Sequence, residues 1–428
     1  MLKTRISLLA LGLMAATSAM ANDQAESKGF VEDSSASLLL RNAYIKRDKK
    51  HDTNDQMQWG QGFIGKFSSG FTQGTVGVGV DAFGLYGVRL DGGTGHNEGG
   101  GIDFFKRGDS KNAQHDISRA GAAVKFRVSN TVLKYGDQMP SLPVLQYDDA
   151  RLLPESFTGT SINSKEIEGL ELNAGRYTRE ARKSTEQRDS GLKSINVFGG
   201  SYKFLPNLTA SLYTSDVEDV LKKHYLGVNY VHSIAKDQSL TLDFNGYKSD
   251  IDKKYVDKIG LHGDRNTIWS LAATYAYGPH SVTIAHQRSS GDTGYQYGWY
   301  QNGGGVGDGG STIYLANSYW SDFNAEDERS WQIGYGLDFG AYGVPGLTYT
   351  VAFVRGDNIN THGLGEGTER EIFNQFKYVV QEGPAKDLSV KVRSSFLRAS
   401  NNLRDKSVDY ADDGNELRVF VEYPISIF

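Results

Sequence analysis

The 428-residue sequence contains no cysteine, and this absence excludes two kinds of site. Without thiols the chain can build neither a disulfide framework nor a thiolate metal centre. Its nine histidines are scattered without metal-ligand spacing, so neither a metal nor another cofactor is expected. The formal net charge of -5 is small and gives no reason to expect nucleic acid as a partner.

The chain also lacks a long apolar segment beyond its N-terminus. No later stretch offers the roughly 18 uninterrupted apolar residues of a transmembrane helix, and the mean hydropathy is -0.46. The N-terminus combines the basic residues Lys3 and Arg5, an apolar run over Ile6–Ala16, and the small-x-small sequence Ala19-Met20-Ala21. These features predict a cleaved secretory signal over residues 1–21, followed by one exported domain over residues 22–428.

What the chain does contain is glycine and aromatic residues: 51 Gly, 24 Tyr and 20 Phe, against only 8 Pro. Glycine and tyrosine at this level are typical of tight turns and of the aromatic girdles of membrane β-barrels. A secreted β-sandwich or β-solenoid fits the composition equally well. The order of the residues, rather than their number, has to distinguish these folds.

Apolar and polar residues alternate with a period of two along most of the chain. In one example Trp331, Ile333, Tyr335 and Leu337 alternate with polar residues or glycine. A period of two predicts β-strands with one apolar and one polar face. Roughly 16 to 18 such segments of about 10 residues can be distinguished, the length at which a tilted strand crosses a bilayer. At that number a closed barrel has room for an aqueous channel.

The connections between these segments are of two kinds, short turns and long polar loops. The short ones are Phe204–Asn207, Ala235–Gln238, Tyr277–His280, Tyr342–Gly346 and Glu382–Asp387. The long, glycine-rich ones include Asp91–Gln114, Ser289–Ser311 and Asn358–Arg370. Short turns at one end and long loops at the other favour an all-β transmembrane antiparallel barrel over a soluble sandwich. The aromatic Phe428 at the end of the last apolar strand is typical of outer-membrane barrels.

Several predicted strands carry basic residues opposite their apolar faces. These residues are Lys125, Arg127, Lys377, Lys391, Arg393 and Arg418. If the apolar faces meet lipid, all six cations point into the lumen. Few acids accompany them on these faces, with Glu422 as the exception, so they are expected to form a strip of unpaired cations along one wall. Such a strip attracts anions, and arginine can bind a carboxylate through two hydrogen bonds. The simpler alternative is an ordinary solvated polar face.

The stretch Gly136–Gly159 interrupts the alternation and holds three of the eight prolines. Because Leu142, Val144 and Leu145 would sit poorly in water, we expect this stretch to fold into the barrel and narrow it. An outer loop packed on its neighbours is the alternative. The glycine pattern over Gly305–Gly310 formally fits a dinucleotide fingerprint, but it lacks the strand-turn-helix setting and is interpreted as an outer loop.

Five stretches of the chain are distinctive: Gly70–Ala82, Leu133–Pro140, Asn317–Asn324, Gly343–Leu347 and Tyr378–Leu388. Through these stretches the chain, from about Gly29 to the C-terminus, closely resembles the OprD-type (Occ) substrate-specific porins of pseudomonads. The resemblance implies an 18-stranded barrel of the bacterial outer membrane, a monomer or weak trimer, with an inward-folded third loop. It further implies passive diffusion of small carboxylate-bearing nutrients, including amino acids and aromatic acids, and for some members carbapenem antibiotics. The expected partners are small anionic or zwitterionic solutes and the surrounding lipid and lipopolysaccharide.

The resemblance also assigns roles to individual residues. A ladder of basic residues on one wall would comprise Arg127, Lys377, Lys391, Arg393 and Arg418, although the family often has arginine near Lys391. The eyelet, the narrowest point of the channel, would use Ser318 and Asp322 beside an aromatic residue. Trp320 stands near that aromatic position, where the spacing departs by one residue. The opposite side of the eyelet would come from the loop around Tyr147 and Arg151.

Three other functions are compatible with a membrane barrel. An outer-membrane hydrolase is the leading enzyme alternative, but no local motif such as G-x-S-x-G marks a nucleophile. An adhesion barrel has no use for inward cations. A general, non-selective porin differs only in the absence of a selective eyelet. The prediction is therefore a substrate-specific channel and not an enzyme.

Overall fold

The computed structural model describes residues 24–51, 54–91, 102–106, 113–188, 191–298, 313–403 and 413–428. The predicted signal segment over residues 1–21 and the glycine pattern over Gly305–Gly310 lie outside these residues. Within the described parts, no helix is long and apolar enough to span a membrane. Among the described residues the one α-helix, α1, covers Lys253–Ile259 and is capped by Asp252, whose side chain accepts from the Lys254 amide.

Nearly all of the regular structure is β-strand. In chain order the strands are β1 (Ser35–Lys49), β2 (Gln56–Ser68), β3 (Gly77–Asp91), β4 (Asp116–Val128), β5 (Thr131–Gln138), β6 (Ser141–Leu142), β7 (Leu145–Gln146), β8 (Ser156–Ser164), β9 (Leu170–Ala181), β10 (Ile195–Leu205), β11 (Leu208–Val217), β12 (Leu221–Ala235), β13 (Gln238–Ile251), β14 (Arg265–Tyr277), β15 (His280–Gly291), β16 (Arg329–Asp338), β17 (Leu347–Ile359), β18 (Gly367–Val379), β19 (Ser389–Ala399) and β20 (Gly414–Ser426).

Eighteen of these strands form one closed antiparallel sheet, which confirms the predicted 18-stranded barrel. Each strand pairs with the next, β5 pairs with β8, and β20 pairs back to β1. The two short strands β6 and β7 form a separate hairpin. Closure pairs each strand of the wall with a neighbour on both sides over at least part of its length, and a bilayer requires such pairing of a spanning sheet.

The predicted alternation of short turns and long loops is confirmed. The five predicted turns all connect consecutive strands of the barrel. The loop predicted over Asn358–Arg370 is shorter than expected, because β17 continues to Ile359 and β18 begins at Gly367. The loop predicted over Ser289–Ser311 begins later, because β15 continues to Gly291, and is longer than expected, because β16 begins only at Arg329. Strand residues near the loop end are polar on both faces, so the sequence pattern places the end of the strand too early.

Apolar side chains cover the outside of the wall. Trp331 and Ile333 are each 58% exposed, whereas Ser330, which precedes them, and Gln332, which lies between them, are buried. Because only the outward face is apolar, the hydrophobic surface forms a lipid-facing belt rather than a conventional core. The inner face carries the polar residues and the segments that fold into the lumen.

Candidate functional site

The segment between β5 and β8, residues 139–155, crosses the lumen, and we call it loop 3. At its first end, the hairpin β6–β7 places Val144 and Leu145, 6% and 1% exposed, against tyrosines of the inner wall. The main-chain carbonyl of Pro143 accepts a hydrogen bond of 3.0 Å from the Tyr247 hydroxyl on β13. The prediction that this apolar, proline-rich stretch folds inward is confirmed.

The second end of loop 3 is attached to β1, on the other side of the barrel. The Arg41 guanidinium donates to Asp149 at 2.7 Å and to the main-chain carbonyl of Arg151 at 3.0 Å. Leu152 and Leu153 are buried against apolar residues of the inner wall. Because loop 3 is held at both walls, it divides the lumen and leaves a narrow passage beside it.

Tyr147 and Arg151, the two residues of loop 3 predicted to line the eyelet, lie within this crossing. Tyr147 packs against the tyrosine-rich cluster and lies close enough to Asp149 and Arg41 to interact electrostatically with both. Arg151 donates to the Ile102 carbonyl at 2.8 Å. Burial, with the positive charge of Arg418 nearby, lowers the pKa of Arg151 to about 10. Arg151 therefore lies close enough to Arg418 on the barrel wall for the two positive charges to repel each other.

The connection between β15 and β16, residues 292–328, is called loop 7. The structure describes its residues 292–298 and 313–328, and the second of these parts brings together Ser318 and Asp322. The Ser318 hydroxyl and the Tyr297 hydroxyl both donate to the Asp322 carboxylate. Burial raises the pKa of Asp322, while these two hydrogen bonds and the charge of Arg418 oppose the shift. The sequence prediction grouped Ser318 with Asp322 and did not include Tyr297.

Trp320 on loop 7 lies next to Glu371 of β18 and Arg47 of β1. Its main-chain amide donates to Glu371 at 3.1 Å, and the amide of Ser321 donates to the same carboxylate at 2.9 Å. The Arg47 guanidinium lies over the Trp320 ring, 5.6 Å from its centroid. Trp320 therefore presents an aromatic face beside a cation, and its assignment as the aromatic residue of the eyelet stays a prediction.

Four of the six predicted cations form two rows on adjacent strands, and we call these four the basic ladder. Arg393 on β19 is directly opposite Arg418 on β20. Two residues nearer the turn end, Lys391 on β19 is directly opposite Lys377 on β18. Lys391 and Arg393 contact the faces of inner-wall phenylalanines, each about 5.0 Å from a ring centroid. The rows descend from the eyelet towards the turn end.

The expectation of unpaired cations is wrong for Arg418. Glu416, two residues earlier on the same face of β20, accepts from Arg418 at 2.5 Å and from Arg47 at 2.7 Å. All three side chains are less than 10% exposed. The pairing follows from the burial, because a buried guanidinium is stable only with a nearby counter-charge. Across the described part of the chain, Lys391, Arg393 and Lys377 form no salt bridge.

Lys125 and Arg127 do not belong to this ladder. They lie on β4, four strands from β20 around the wall. Lys125 pairs with Asp81 at 2.7 Å, and Arg127 donates to the Gln24 side chain at 2.8 Å. The sequence prediction of one unpaired strip is therefore corrected to a ladder on β18–β20 and a paired group near the turn end of β4.

The wall opposite the basic ladder is lined with tyrosine hydroxyls and holds one buried lysine. Strand β12 lies nine strands from β1 and carries Tyr225 and Lys223 on its inner face. Lys223 is 2% exposed, donates to the Tyr295 hydroxyl at 2.9 Å, and lies 4.6 Å from the centroid of that ring. It holds the start of loop 7, two residues before the Tyr297 hydroxyl that binds Asp322.

Sequence reasoning missed the two arginines of β1, Arg41 and Arg47. They share an inner face with Ala43 and Ile45, which are fully buried. Because β1 carries apolar residues on both faces, its sequence does not alternate clearly between apolar and polar residues. The pattern therefore did not predict that either arginine faces the lumen. The spacing of six residues between the two arginines was the available signal, because an even spacing puts both on one face.

The arrangement can orient a small solute without reacting with it. An acidic and hydroxyl-bearing loop meets a basic wall across a narrow passage, and further cations follow towards the turn end. No group of metal-ligating side chains occurs among the residues described. The geometry suits the passage of a charged solute through successive weak contacts.

Comparison with known proteins identifies the family. The model of the outer membrane porin, OprD family, matches residues 28–427. The chain is 42% identical to Porin D of Pseudomonas aeruginosa, over 96% of this chain and 95% of that protein. The crystal structure of Acinetobacter baumannii OccAB1 matches with a TM-score of 0.88 and 39% identity, covering 95% of this chain and 100% of the other. That of P. aeruginosa OpdK with vanillate matches with a TM-score of 0.80 and 31% identity, covering 93% and 100%.

These matches confirm two predictions from the sequence. The family consists of outer-membrane porins and not of enzymes, so the expected location and the expectation of no enzyme activity both hold. The short turns of such a barrel face the periplasm and the long loops face outward. The chain belongs to the OprD family of substrate-specific outer-membrane porins.

Proposed function

We propose that this porin takes up small carboxylate-bearing nutrients by passive diffusion, using the eyelet to orient the solute and the basic ladder to guide its carboxylate. The observation that carries the proposal is the pair of rows Arg393–Arg418 and Lys391–Lys377 directly below the eyelet. Three of these four cations form no salt bridge within the described residues, so their charge is available to a solute.

The eyelet supplies the selective step. A solute entering from the outer loops meets Ser318, Asp322 and Tyr297 on one side and Arg151 with Arg47 on the other. Opposite charges across a narrow passage align a zwitterion with its ammonium towards Asp322 and its carboxylate towards the arginines. The Trp320 face next to Arg47 would also accommodate an aromatic acid.

Transport below the eyelet needs no energy input and no cofactor. The carboxylate leaves Arg393 and Arg418, binds Lys391 and Lys377 nearer the turn end, and is then released into the periplasm. Because the solute passes several weak contacts in turn rather than one strong site, binding favours entry without blocking release. Amino acids, aromatic acids and carbapenem-type antibiotics all carry the carboxylate that this route recognises. That a solved relative binds vanillate, an aromatic carboxylate, supports the aromatic acids in particular.

Flux into proteoliposomes of a panel of basic amino acids, aromatic acids and matched uncharged solutes tests the proposal. Carboxylates should enter faster than neutral molecules of the same size, and the fastest group defines the substrate class. Equal rates for all solutes of one size would instead identify a general porin. Silent planar bilayers from well-folded protein would contradict channel activity itself.

A further inference from the structure

The barrel wall is interrupted on one side of β4. Strand β4 pairs with β5 only over Ala123–Val128, whereas its outer half, Asp116–Ala122, pairs with β3 alone. The cause is that β5 ends at Gln138, where the chain turns into the lumen as loop 3. Because a bilayer cannot hydrogen-bond an exposed strand edge, something must cover this half-strand.

The segment that follows β9, residues 182–188, covers the interruption from the lumen side. The Arg119 guanidinium donates to the main-chain carbonyls of Arg182, Thr185 and Pro154, the second at 3.0 Å. The side chain of Glu186 accepts from the Ser118 amide at 3.3 Å. These contacts close the interruption towards the channel, so it does not provide a second pore.

On the outside, the interruption leaves a groove of about 610 Å³. Its floor consists of outward-facing small residues, Gly65, Gly84 and Ala120. The rings of Phe63 and Tyr86, stacked 6.1 Å apart, form one side. A Cβ built on Gly84 meets nothing within 4 Å, so the floor is open.

The groove has one polar end, where the Arg188 guanidinium pairs with Asp137 at 2.6 Å and also donates to Thr158 at 3.1 Å. The Arg188 side chain remains 44% exposed. The Asp137 side chain is only 10% exposed, so the accessible charge at this end is the Arg188 guanidinium, which is costly on the outside of a membrane barrel unless polar groups reach it. An apolar floor that leads to a polar end is complementary to an amphiphile.

We propose that this groove is a specific seat for one acyl chain of an outer-membrane lipid, with the polar part of that lipid at Arg188 and Asp137. The groove is continuous with the lipid-facing surface of β2, β3 and β4, so a membrane lipid is the molecule in contact with it. A chain lying on Gly84 and Ala120 shields the unpaired half of β4 from the bilayer, beside the groove-lining side chains of Glu186 and Arg188. The lipid thereby completes the wall at the point where loop 3 leaves it.

Native mass spectrometry with dipalmitoyl-phosphatidylglycerol tests this seat. Gly84→Leu fills the groove floor, whereas Ala273→Leu adds the same side chain to the lipid-facing side of β14, away from the groove. We expect wild-type porin and Ala273→Leu to retain one tightly held lipid through detergent exchange. Gly84→Leu should require at least tenfold more lipid for the same occupancy. Arg188→Gln should weaken retention severalfold.

Retention of the lipid by Gly84→Leu, or equal loss by Ala273→Leu, would overturn the proposal. Heat-modifiability on gels reports whether each barrel is folded, and Ala120→Leu replaces Gly84→Leu if that variant misfolds. Single-channel conductance should be the same in all of these variants, because the groove is outside the channel. A result that overturns the proposed lipid site can therefore be distinguished from a result that overturns carboxylate transport.

Discussion

Replacement of Arg393 by glutamine should reduce carboxylate transport while leaving the fold intact. Arg393 is half-buried on the inner face of β19, stacks on Phe373 at 5.0 Å, and forms no salt bridge within the described residues. Glutamine preserves part of the stem and of the hydrogen-bonding capacity but removes the charge. Because no counter-ion is left unpaired, the cost to stability should be small.

The size of the transport effect follows from Coulomb's law. A carboxylate about 4 Å from a guanidinium gains about 1 kcal/mol in bulk water and about 4 kcal/mol at the effective dielectric constant of a protein surface. A water-filled lumen lies near the lower value, so the loss should be roughly 1–2 kcal/mol. That loss corresponds to about a 5- to 30-fold weaker interaction of the anion with this row.

Initial flux of benzoate into proteoliposomes measures the effect, with benzamide as the uncharged solute of the same shape. Arg393→Gln should slow benzoate at low concentration and leave benzamide unchanged. Arg288→Gln, which removes an arginine from the outer face of β15, is the matched control and should change neither flux. Unchanged benzoate flux through a correctly folded Arg393→Gln barrel would refute the role of the ladder.

Three further predictions concern the eyelet, the ion pairs and loop 3. Because burial raises the pKa of Asp322, acidification should neutralise this carboxylate at a higher pH than an exposed aspartate, and the reversal potential in a KCl gradient should then shift towards anions. Asp322→Asn should show the shifted potential at every pH, and a pH-dependent shift that persists in this variant would assign the titrating acid to another residue. Glu416→Gln leaves the guanidiniums of Arg47 and Arg418 buried without the carboxylate that they share. The free energy of unfolding in urea should therefore fall by about 3–5 kcal/mol. An unchanged unfolding midpoint would contradict the pairing. Deletion of the hairpin Ser141–Gln146 should raise the single-channel conductance severalfold and abolish the preference for benzoate over benzamide. Unchanged conductance would show that loop 3 does not narrow the channel.

The sequence was sufficient for the barrel, because each strand with one lipid face repeats the same local pattern. Trp331 and Ile333 identify their faces without any knowledge of distant residues. Loop 3 was also predictable, since an apolar, proline-rich segment is poorly compatible with an outer loop. Both inferences rest on the preference of individual side chains for lipid or water.

The pairing of charges in the lumen could not be predicted from local sequence patterns. Arg47 and Glu416 are 369 residues apart in sequence and meet only because β20 closes the barrel against β1. Tyr297 reaches Asp322 through the path of loop 7, which no local pattern specifies. The inner face of β1 was misread because Ala43 and Ile45 face loop 3 rather than lipid. Closure of the sheet, and not local preference, decides which cations remain available to a solute.

The most direct test of carboxylate selectivity compares benzoate and benzamide flux through the unmodified porin at equal concentration and at zero membrane potential. If the eyelet and the basic ladder act as proposed, benzoate should enter several times faster than benzamide, and lysine or another amino acid bearing the same carboxylate should compete with it. Equal entry of the two solutes, or faster entry of benzamide, would contradict carboxylate selectivity and leave a general porin.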